Sequence, residues 1–416
     1  MAERTNVPEI RFAGFTDPWE QRKLGDIARR VTRKNDGNES DLPLTISAQY
    51  GLVDQRTFFN NQVASKDMSG YYLLKKGEFA YNKSTSTDSP WGAIKRLLNY
   101  DKGCVSTLYI CFDLIDADPD FLVTYYETNR WYKSVQLIAA EGARNHGLLN
   151  IAPNDFFDTV LSIPGQQQEQ KLIGNYFASL DSLITLHQRK YDKLVQLKKS
   201  MLDKLFPRPG ERFPEIRFAG FTDPWEQRKL GELMDVTSVR RVRQEDWTDE
   251  GVRFLRARDL VAFAKNEAID DPLFISDEMY REYSAQSGKV VVGDLLVTGV
   301  GTIGVPWLVT SENPVYFKDG NIIWFKNQNA VDGEFFYHSF TAHAIQRYIK
   351  ESAGIGTVGT YTIETGKKTP IWLPSEREQR QIAAFMTSLD TLITLHQRKL
   401  ELLRNTKKSL LDRMFV

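Results

Sequence analysis

Three short motifs in this chain hold residues whose types and spacing could support chemistry. The first, Gly299-Val-Gly301-Thr-Ile-Gly304, satisfies the GxGxxG spacing of dinucleotide-binding loops. Such a loop must open a helix, and Pro306 with the β-prone residues after it disfavours a helix there. The glycines therefore predict a hairpin turn in which two backbones approach closely, rather than a nucleotide site.

The other two motifs are weaker as catalytic signals. Asp88-Ser-Pro-Trp91 is similar to the (Asp/Asn)-Pro-Pro-aromatic motif of amino-methyltransferases, but it lacks the second proline, and no S-adenosylmethionine loop accompanies it. Glu169-Gln170-Lys171 could be fitted to a PD-(D/E)xK nuclease pattern, but its repeated copy reads Glu378-Gln379-Arg380. The sequence has no Walker A motif, HExxH motif or paired ligand spacing among its histidines, which are His146, His187, His338, His343 and His396. The motifs therefore predict a chain without an active site of its own.

The chain is instead organised around segments that occur twice. The stretch Ala178–Tyr191 returns as Thr387–Leu400 with few changes, and the leader Pro8–Gly25 returns letter for letter as Pro214–Gly231. Repetition at this spacing predicts a duplicated unit made of a leader, a globular domain and a long helix. The Asp-Pro-Trp of each leader predicts a turn with a tryptophan packing anchor, and hence a structural clasp.

The repeated helical segments carry apolar residues at alternating steps of four and three, which is the pattern of a heptad seam. At about 1.5 Å per residue each helix would run roughly 50 Å. Because the ends of a domain usually lie close together, the two helices are predicted to run antiparallel as a coiled-coil spacer. His187 and His396 occupy equivalent seam positions, where they predict a polar layer that fixes register. The predicted seam residues are Ile173, Leu180, Ile184, His187, Leu194, Met201, Ile382, Leu389, Ile393, His396, Leu403 and Leu410.

The two globular domains differ in sequence but keep one order of elements. The alternation and turn residues predict hairpins at Tyr71–Ser84, Lys289–Gly299 and Val315–Phe325. Each domain then has one predicted helix, from Pro119 to about Ala140 and from Gly333 to about Ser352. The predicted fold class is α+β (mixed α/β), with two recognition domains joined by two long antiparallel helices in a circular arrangement with internal two-fold pseudosymmetry. The predicted boundaries are 1–163 and 209–373 for leader plus domain, and 164–208 and 374–416 for the helices.

Composition limits the function classes. The 54 basic and 54 acidic residues balance, so any nucleic-acid-binding surface must be local. No apolar run is long enough to span a membrane, and charges near the start of the chain argue against a signal peptide, so a cytoplasmic location is predicted. Cys104 and Cys111 are too far apart for a CxxC site and are predicted to be reduced core thiols.

Clusters of basic, polar and glycine-rich residues occur in the loops of both domains. Arg, Asn, Ser and Thr side chains read base edges, while Lys side chains and backbone amides hold phosphates. A single cluster of this kind is typical of a solvated loop, but two sets on a rigid two-fold spacer fit duplex DNA. The candidate DNA-binding residues are Arg30, Arg33, Lys34, Asn82, Lys83, Ser84, Lys95, Arg96, Arg144 and Asn145 in the first domain, and Arg240, Arg241, Arg243, Arg256, Arg258, Thr298, Thr302, Thr357 and Thr360 in the second.

With its duplicated long helices, the Trp-Glu-Gln-Arg-Lys-Leu-Gly opening of each domain and the Glu-Gln pair at the start of each helix, the chain resembles the specificity subunit of type I restriction-modification systems. The resemblance covers essentially the whole chain. It implies that residues 20–163 and 226–373 are two target-recognition domains, each reading one half of an asymmetric bipartite DNA site. One departure is that the first helix opening, after Pro164, is one residue longer than the second, after Pro374.

The resemblance also implies the partners. Two methyltransferase subunits would dock on the helices, carry S-adenosylmethionine and methylate adenine in double-stranded DNA. Restriction subunits with translocase and nuclease activity would add ATP- and Mg2+-dependent cleavage. No metal, cofactor or membrane contact is expected for this chain itself.

Two other interpretations differ in class. A fused restriction-methylation enzyme of related architecture would need the catalytic motifs that the sequence lacks. A coiled-coil scaffold without DNA binding would not need two domains of this size with basic loops. A DNA-recognition and assembly subunit is the interpretation that the sequence favours.

Overall fold

The computed structural model describes residues 6–47, 50–59, 64–87, 89–139, 147–353 and 359–416. The chain divides into two compact units. The first comprises Met1–Gln188 with Arg398–Val416, and the second comprises Arg189–Gln397. The division falls inside both long helices, so each unit contains the start of one helix and the end of the other.

The first unit begins with a strand that follows directly on the leader tryptophan. Its elements are β1 (Glu20–Lys23), α1 (Leu24–Ile27), β2 (Ala28–Val31), a 3-10 turn (Asp36–Asn38), β3 (Leu44–Ser47), β4 (Gly51–Asp54), α2 (Gln55–Phe59), β5 (Tyr72–Lys75), β6 (Phe79–Asn82), β7 (Ala93–Arg96), β8 (Lys102–Val105), β9 (Ile110–Leu114), α3 (Pro119–Tyr125), α4 (Tyr132–Ile138), α5 (Pro153–Phe157), β10 (Val160–Ile163) and the long helix α6 (Gln167–Lys204).

The second unit repeats this order with a different middle. Its elements are β11 (Glu226–Lys229), α7 (Leu230–Leu233), β12 (Asp235–Thr237), a 3-10 turn (Gln244–Asp246), β13 (Val252–Leu255), α8 (Ala257–Lys265), β14 (Leu273–Ile275), α9 (Asp277–Ser287), β15 (Leu295–Thr298), β16 (Pro306–Leu308), β17 (Val315–Phe317), β18 (Ile322–Lys326), α10 (Gly333–Thr341), α11 (His343–Ser352), α12 (Ile363–Lys368), β19 (Pro370–Leu373) and the long helix α13 (Glu376–Met414).

The two units share one sheet plan. Each has a four-stranded antiparallel sheet, in the order β2-β9-β6-β7 in the first unit and β12-β18-β15-β16 in the second. In each unit the leader strand pairs antiparallel with the last strand, β1 with β10 and β11 with β19. The leader strand therefore holds the beginning and the end of each domain together, which is the predicted clasp. The mixed α+β fold class is confirmed.

The predicted hairpins at Tyr71–Ser84 and Val315–Phe325 are wrong, because the strands they contain pair with distant partners. Strand β5 pairs with β8 while β6 pairs with β7 and β9, and β17 pairs in parallel with β13 while β18 joins the four-stranded sheet. The predicted hairpin at Lys289–Gly299 contains only β15, because residues 289–294 contain a turn at 292–293 and no strand.

Each predicted mid-domain helix is instead a pair of short helices. The first pair is separated by residues 126–131, and the second breaks at Ala342, whose extended backbone (φ −69, ψ 155) ends α10 before α11 begins. The predicted helix reaching about Ala140 ends at Ile138 within the described residues.

The core of each unit is completed by the end of the other copy's long helix. In the first unit, Phe415 packs against Trp19, Phe121 and Phe177 with ring centroids 5.7 to 6.0 Å apart. In the second unit, Phe206 packs in the same way against Trp225 and Phe335. All seven of these aromatic side chains are buried, so the tryptophan anchors are confirmed.

The two helices run antiparallel within each unit, as predicted. In the first unit Asp181 pairs with Lys407 and Gln188 with Arg404, so residue numbers rise along α6 as they fall along α13. In the second unit Lys198 pairs with Asp390, the repeated counterparts of Lys407 and Asp181. Every helix in the described part of the chain is too short or too polar to cross a membrane.

Candidate nucleic-acid interface

The start of each long helix is hydrogen-bonded to the globular domain that precedes it. Gln170 accepts a hydrogen bond from the backbone N–H of Asp118, the N-cap residue of α3, and donates to the carbonyl of Pro164 at 2.8 Å. Gln379 repeats both bonds with Asp332 and Pro374. The nuclease-like triplet Glu169-Gln170-Lys171 therefore has a structural role, because its glutamine hydrogen-bonds the domain to the start of the helix.

Two candidate loops meet in the first unit. The loop after β6 pairs with the segment that precedes α5: the N–H of Thr85 donates to Gly147 O at 2.7 Å, and the N–H of Leu149 donates to Lys83 O at 3.0 Å. Gly147 has a φ of +75°, which favours glycine. Ser84, Ser86 and Thr87 remain exposed at this junction. It presents hydroxyl groups of the kind that bind phosphates or base edges.

An equivalent junction forms in the second unit. Gly299–Gly304 connects β15 to its antiparallel neighbour β16, so the predicted hairpin turn is confirmed. The N–H of Tyr361 donates to Gly299 O at 2.9 Å, and a Cβ at Gly299 would lie only 2.8 Å from Tyr361 O. The predicted close backbone approach is therefore present.

Thr298 shapes this loop from inside. Its buried hydroxyl donates to Thr302 O at 2.5 Å and accepts from Val305 N–H at 2.9 Å. Thr298 is thus a positioning residue for the loop, while Gly301, Thr302 and Thr360 are exposed. Thr302 and Thr360 are the candidates of this unit that offer accessible hydroxyl groups.

Several basic candidates are held by acidic partners. Arg33 binds Glu78 through both terminal nitrogens at 2.9 and 3.1 Å, at the end of β6 opposite Asn82. Arg256 binds both Asp259, which is buried, and Asp271, while Arg258 also pairs with Asp271. These hydrogen bonds from Arg258 and Arg256 lower the pKa of Asp271 to about 2. Such pairing gives these arginines a structural role beside any contact with DNA.

The other basic candidates of the first unit differ in exposure and in pairing. Arg30 lies exposed on β2, and Lys34 donates to Gly70 O while lying 4.4 Å from the Tyr72 ring centroid. Burial lowers the pKa of Lys83, whose Nζ lies 3.3 Å from Ile151 O. Arg96 pairs with Asp120.

The three neighbouring arginines of the second unit pair at its surface. Arg240 pairs with Glu282, Arg241 with Asp319 and Arg243 with Glu245. Asp319 lies in the turn whose Asn321 carbonyl accepts from Gly299 N–H, so Arg241 stands beside the glycine-rich loop.

Some predicted residues lie outside the described residues: Arg144, Asn145, Thr357 and Asp88 of the Asp-Ser-Pro-Trp motif. The described residues contain no group of three or more His, Cys, Asp or Glu side chains placed to hold a metal ion. Cys104 and Cys111 are buried free thiols, as predicted.

The seam residues fall in the cores of their own units. Ile173, Leu180 and Leu403 are buried in the first unit, with Ile184 and Leu410 packed against them. Ile382 and Leu389 are buried in the second, with Leu194 and Met201 packed against them. Ile393, His187 and His396 are half-buried. Lys198 and Lys407, at equivalent positions of the two heptad seams, pair with the aspartates of the facing helix.

Part of this chain matches the model of a known protein family. Residues 222–405 match the family model described as "Type I restriction modification DNA specificity domain". The chain resembles type I specificity subunits.

The resemblance extends along nearly the whole chain. The MjaVIII specificity subunit of Methanocaldococcus jannaschii, a type I restriction enzyme subunit, is 22% identical over 431 aligned positions that cover 98% of this chain and 94% of the relative. A putative type I specificity subunit of Haemophilus influenzae, S.HindORF215P, is 31% identical over 121 residues, covering 29% of this chain and 30% of the relative. The resemblance inferred from the repeats and helix motifs is confirmed.

A solved structure agrees in fold. The crystal structure of the type I restriction-modification S subunit from M. genitalium aligns with a TM-score of 0.58 at 16% identity, covering 99% of each chain. The arrangement of elements described above is thus the fold of a known specificity subunit.

Proposed function

We propose that this chain is the DNA-specificity subunit of a type I restriction-modification system. The observation that carries the proposal is the specificity-domain match over residues 222–405, in a chain that repeats one leader and one helix around two different domains. Each domain would read one half of an asymmetric bipartite site in double-stranded DNA through its loop junction. The predicted domain boundaries and the spacer role of the helices belong to this proposal.

The chain would be the non-catalytic subunit of the complex. Two methyltransferase subunits would supply S-adenosylmethionine and adenine methylation, and restriction subunits would supply ATP- and Mg2+-dependent cleavage. The complex would act in the cytoplasm.

The docking of two identical partners is supported by a repeated apolar surface. Leu183 and Leu186 are 45% and 48% exposed on α6, and their counterparts Leu392 and Leu395 are 42% and 60% exposed on α13. Exposed leucines that recur at the same positions of a duplicated helix fit two copies of one protein partner.

A domain exchange tests the proposal. Residues 226–373 would be replaced by the corresponding domain of another specificity subunit, and methylated sites would be mapped in a host that carries the methyltransferase. Because the two domains are separate readers in this proposal, only one half of the methylated site should change. A change in both halves, or methylation by the purified chain alone, would contradict it.

A further inference from the structure

The first unit contains a cleft that runs from its loop junction to the end of α13. The cleft has a volume of about 390 Å3 and lies between the β6–β7 loop, the α3–α4 connection and both long helices. Ser89 and Gly92 line its end at the β6–β7 loop, and Arg404 and Lys408 line its end at α13. The N–H of Ser86, an exposed residue of the loop junction, donates to Ser89 O at 3.1 Å, so this end of the cleft adjoins the candidate nucleic-acid interface.

The cleft is rich in cations. Lys95, Arg404, Lys407 and Lys408 line it, against one carboxylate, that of Glu127. Lys407 is already neutralised, because its Nζ lies 2.7 Å from Glu127 and 2.5 Å from Asp181. That pairing also occupies the carboxylate of Glu127, the one carboxylate that lines the cleft among the described residues.

The other three cations form no ion pair within the described part of the chain. Arg404 donates to the neutral side-chain oxygen of Gln188 at 2.9 Å. Lys408 is exposed, and Lys95 is partly exposed on β7. Three cations without an ion pair among the described residues concentrate positive potential in one cleft, beside the rings of Trp131 and Tyr132.

The corresponding surface of the second unit has a different charge. Its two adjoining clefts are lined by Lys198 and Lys265 and by the carboxylates of Glu267, Glu334 and Asp390. The position that repeats Arg404 is Val195, and Lys199, which repeats Lys408, lines neither cleft. The positive cleft is therefore particular to the first unit, although the helices that help to form it are repeated.

This difference bears on what occupies the cleft. Two copies of one methyltransferase would meet the same surface in both units, and the repeated leucines provide that surface. Because the proposed DNA site is asymmetric, its two halves need not make the same phosphate contacts. We infer that this cleft binds the phosphate backbone of DNA beside the first half-site, with Lys95, Arg404 and Lys408 as the phosphate contacts. The inference rests on the proposed function, and it adds one of the long helices to the DNA-binding surface.

The test is a salt titration of DNA binding. The full chain and the variant K95Q/R404Q/K408Q would be titrated with a mixed-sequence duplex over a range of salt concentrations. Each lost phosphate contact should lower the slope of log affinity against log salt by about 0.9, so the slope of the variant should fall by about two to three units. K408Q alone should lower it by about one unit.

The matched control removes the same charge from the second unit. K193Q/K199Q/K265Q changes three exposed lysines, and its slope should stay close to that of the unchanged chain. Circular dichroism and the thermal midpoint would show whether each variant is folded. If K95Q/R404Q/K408Q does not fold, the slope of K408Q alone tests the inference.

The outcomes separate the inference from the function on which it rests. Equal slopes for K95Q/R404Q/K408Q and the unchanged chain, or equal losses in test and control variants, would overturn the inference alone. Unchanged DNA binding with lost copurification of the methyltransferase would assign the cleft to an acidic protein surface and would also overturn it. No DNA binding by the unchanged chain, with or without methyltransferase, would overturn the proposed function itself.

Discussion

Arg11 donates two hydrogen bonds to Glu169, from Nε to Oε1 at 2.6 Å and from Nη2 to Oε2 at 2.8 Å. Arg217 binds Glu378 in the same way, at 2.7 Å for both bonds. Each pair joins a leader to the first turn of the long helix of its own repeat. Both glutamates are buried, so removing one partner leaves a desolvated charge without compensation.

The first prediction follows from this pair. Arg11→Met should lower the unfolding free energy of the first unit by about 3–5 kcal/mol, the usual cost of leaving one member of a buried ion pair unpaired. The backbone amides of β2, β6 and β9 in the first unit should exchange faster with solvent. Those of β12, β15 and β18 in the second unit should stay protected. Arg22→Met is the control, because the Arg22–Asp116 pair is solvent-exposed and should contribute less than about 1 kcal/mol. Equal exchange in both variants would contradict the structural role of Arg11.

The second prediction concerns the shared cores. Phe415→Ala should destabilise the first unit by about 3–5 kcal/mol, because a large cavity would open among Trp19, Phe121 and Phe177. Phe206→Ala should do the same to the second unit. Hydrogen exchange resolved by segment measures both effects. Phe213→Ala, at a half-exposed position, should change the stability of either unit little. A large loss of stability in this control would show that the exchange measurement does not distinguish the two cores.

The third prediction is a pH dependence of the second unit. Burial lowers the pKa of His338 to about 3, and its Nε2 lies 3.2 Å from Thr387 Oγ1. As the pH falls, His338 gains a proton near pH 6.5 in the unfolded chain but stays neutral at that pH in the folded unit. The stability is therefore fully present above that pH, and it falls by about 1.4 kcal/mol per unit as pH drops below it.

Thermal midpoints between pH 7 and pH 5 would measure this dependence. His338→Gln should remove this part of the slope. His343→Gln, at an exposed histidine of α11, should retain it. A slope that survives in His338→Gln would assign the pH dependence to other groups.

The fourth prediction separates folding from DNA contact at Arg256. Because Arg256 binds Asp259 and Asp271, Arg256→Gln should cost the second unit about 2 kcal/mol. The DNA affinity of the folded fraction should change little. Denaturation and DNA-binding measurements on the same Arg256→Gln preparation would compare its unfolding free energy with its DNA affinity. A lower DNA affinity at an unchanged unfolding free energy would instead support the DNA contact predicted from the sequence.

The fifth prediction concerns partner number. In the proposed complex with two methyltransferase subunits, Leu186→Glu should remove one subunit, and Leu186→Glu with Leu395→Glu should remove both, because each change places a charge on an exposed apolar surface. Native mass spectrometry would count the subunits. Leu137→Glu, at an exposed leucine of α4, is the control and should leave two subunits bound.

The repeated parts of the fold were predictable because their signals are local. A heptad pattern without helix breakers predicts a long helix, and an identical leader before each domain predicts an identical clasp. The hairpin predictions at Tyr71–Ser84 and Val315–Phe325 were wrong because two strands joined by a plausible turn need not pair with each other. β5 and β6 are neighbours in sequence, yet β5 joins β8, and that choice depends on packing between distant segments.

The candidate site was predictable only in part, for a similar reason. Polar and glycine-rich runs located the loops, and the structure brings the loop at Lys83 to Gly147 and the loop at Gly299 to Tyr361. Sequence could not show that Arg33 faces Glu78 or that Arg256 faces Asp271, because charge pairing depends on the folded positions of residues. It also gave no sign that Arg404, on a repeated helix, would face a cleft of one domain only.

The contact between each leader and a helix end has a consequence for how the chain is connected. Ile216 N–H donates to Lys204 O, in a pair joined by a short stretch of chain, and Ile10 N–H donates to Arg413 O, in a pair whose members lie at opposite ends of the sequence. The same bond therefore forms with and without a local covalent connection. A polypeptide cut near Pro209 would leave two fragments, each holding the helix end that completes a core of the other, so the interlocked fragments should stay together as one particle.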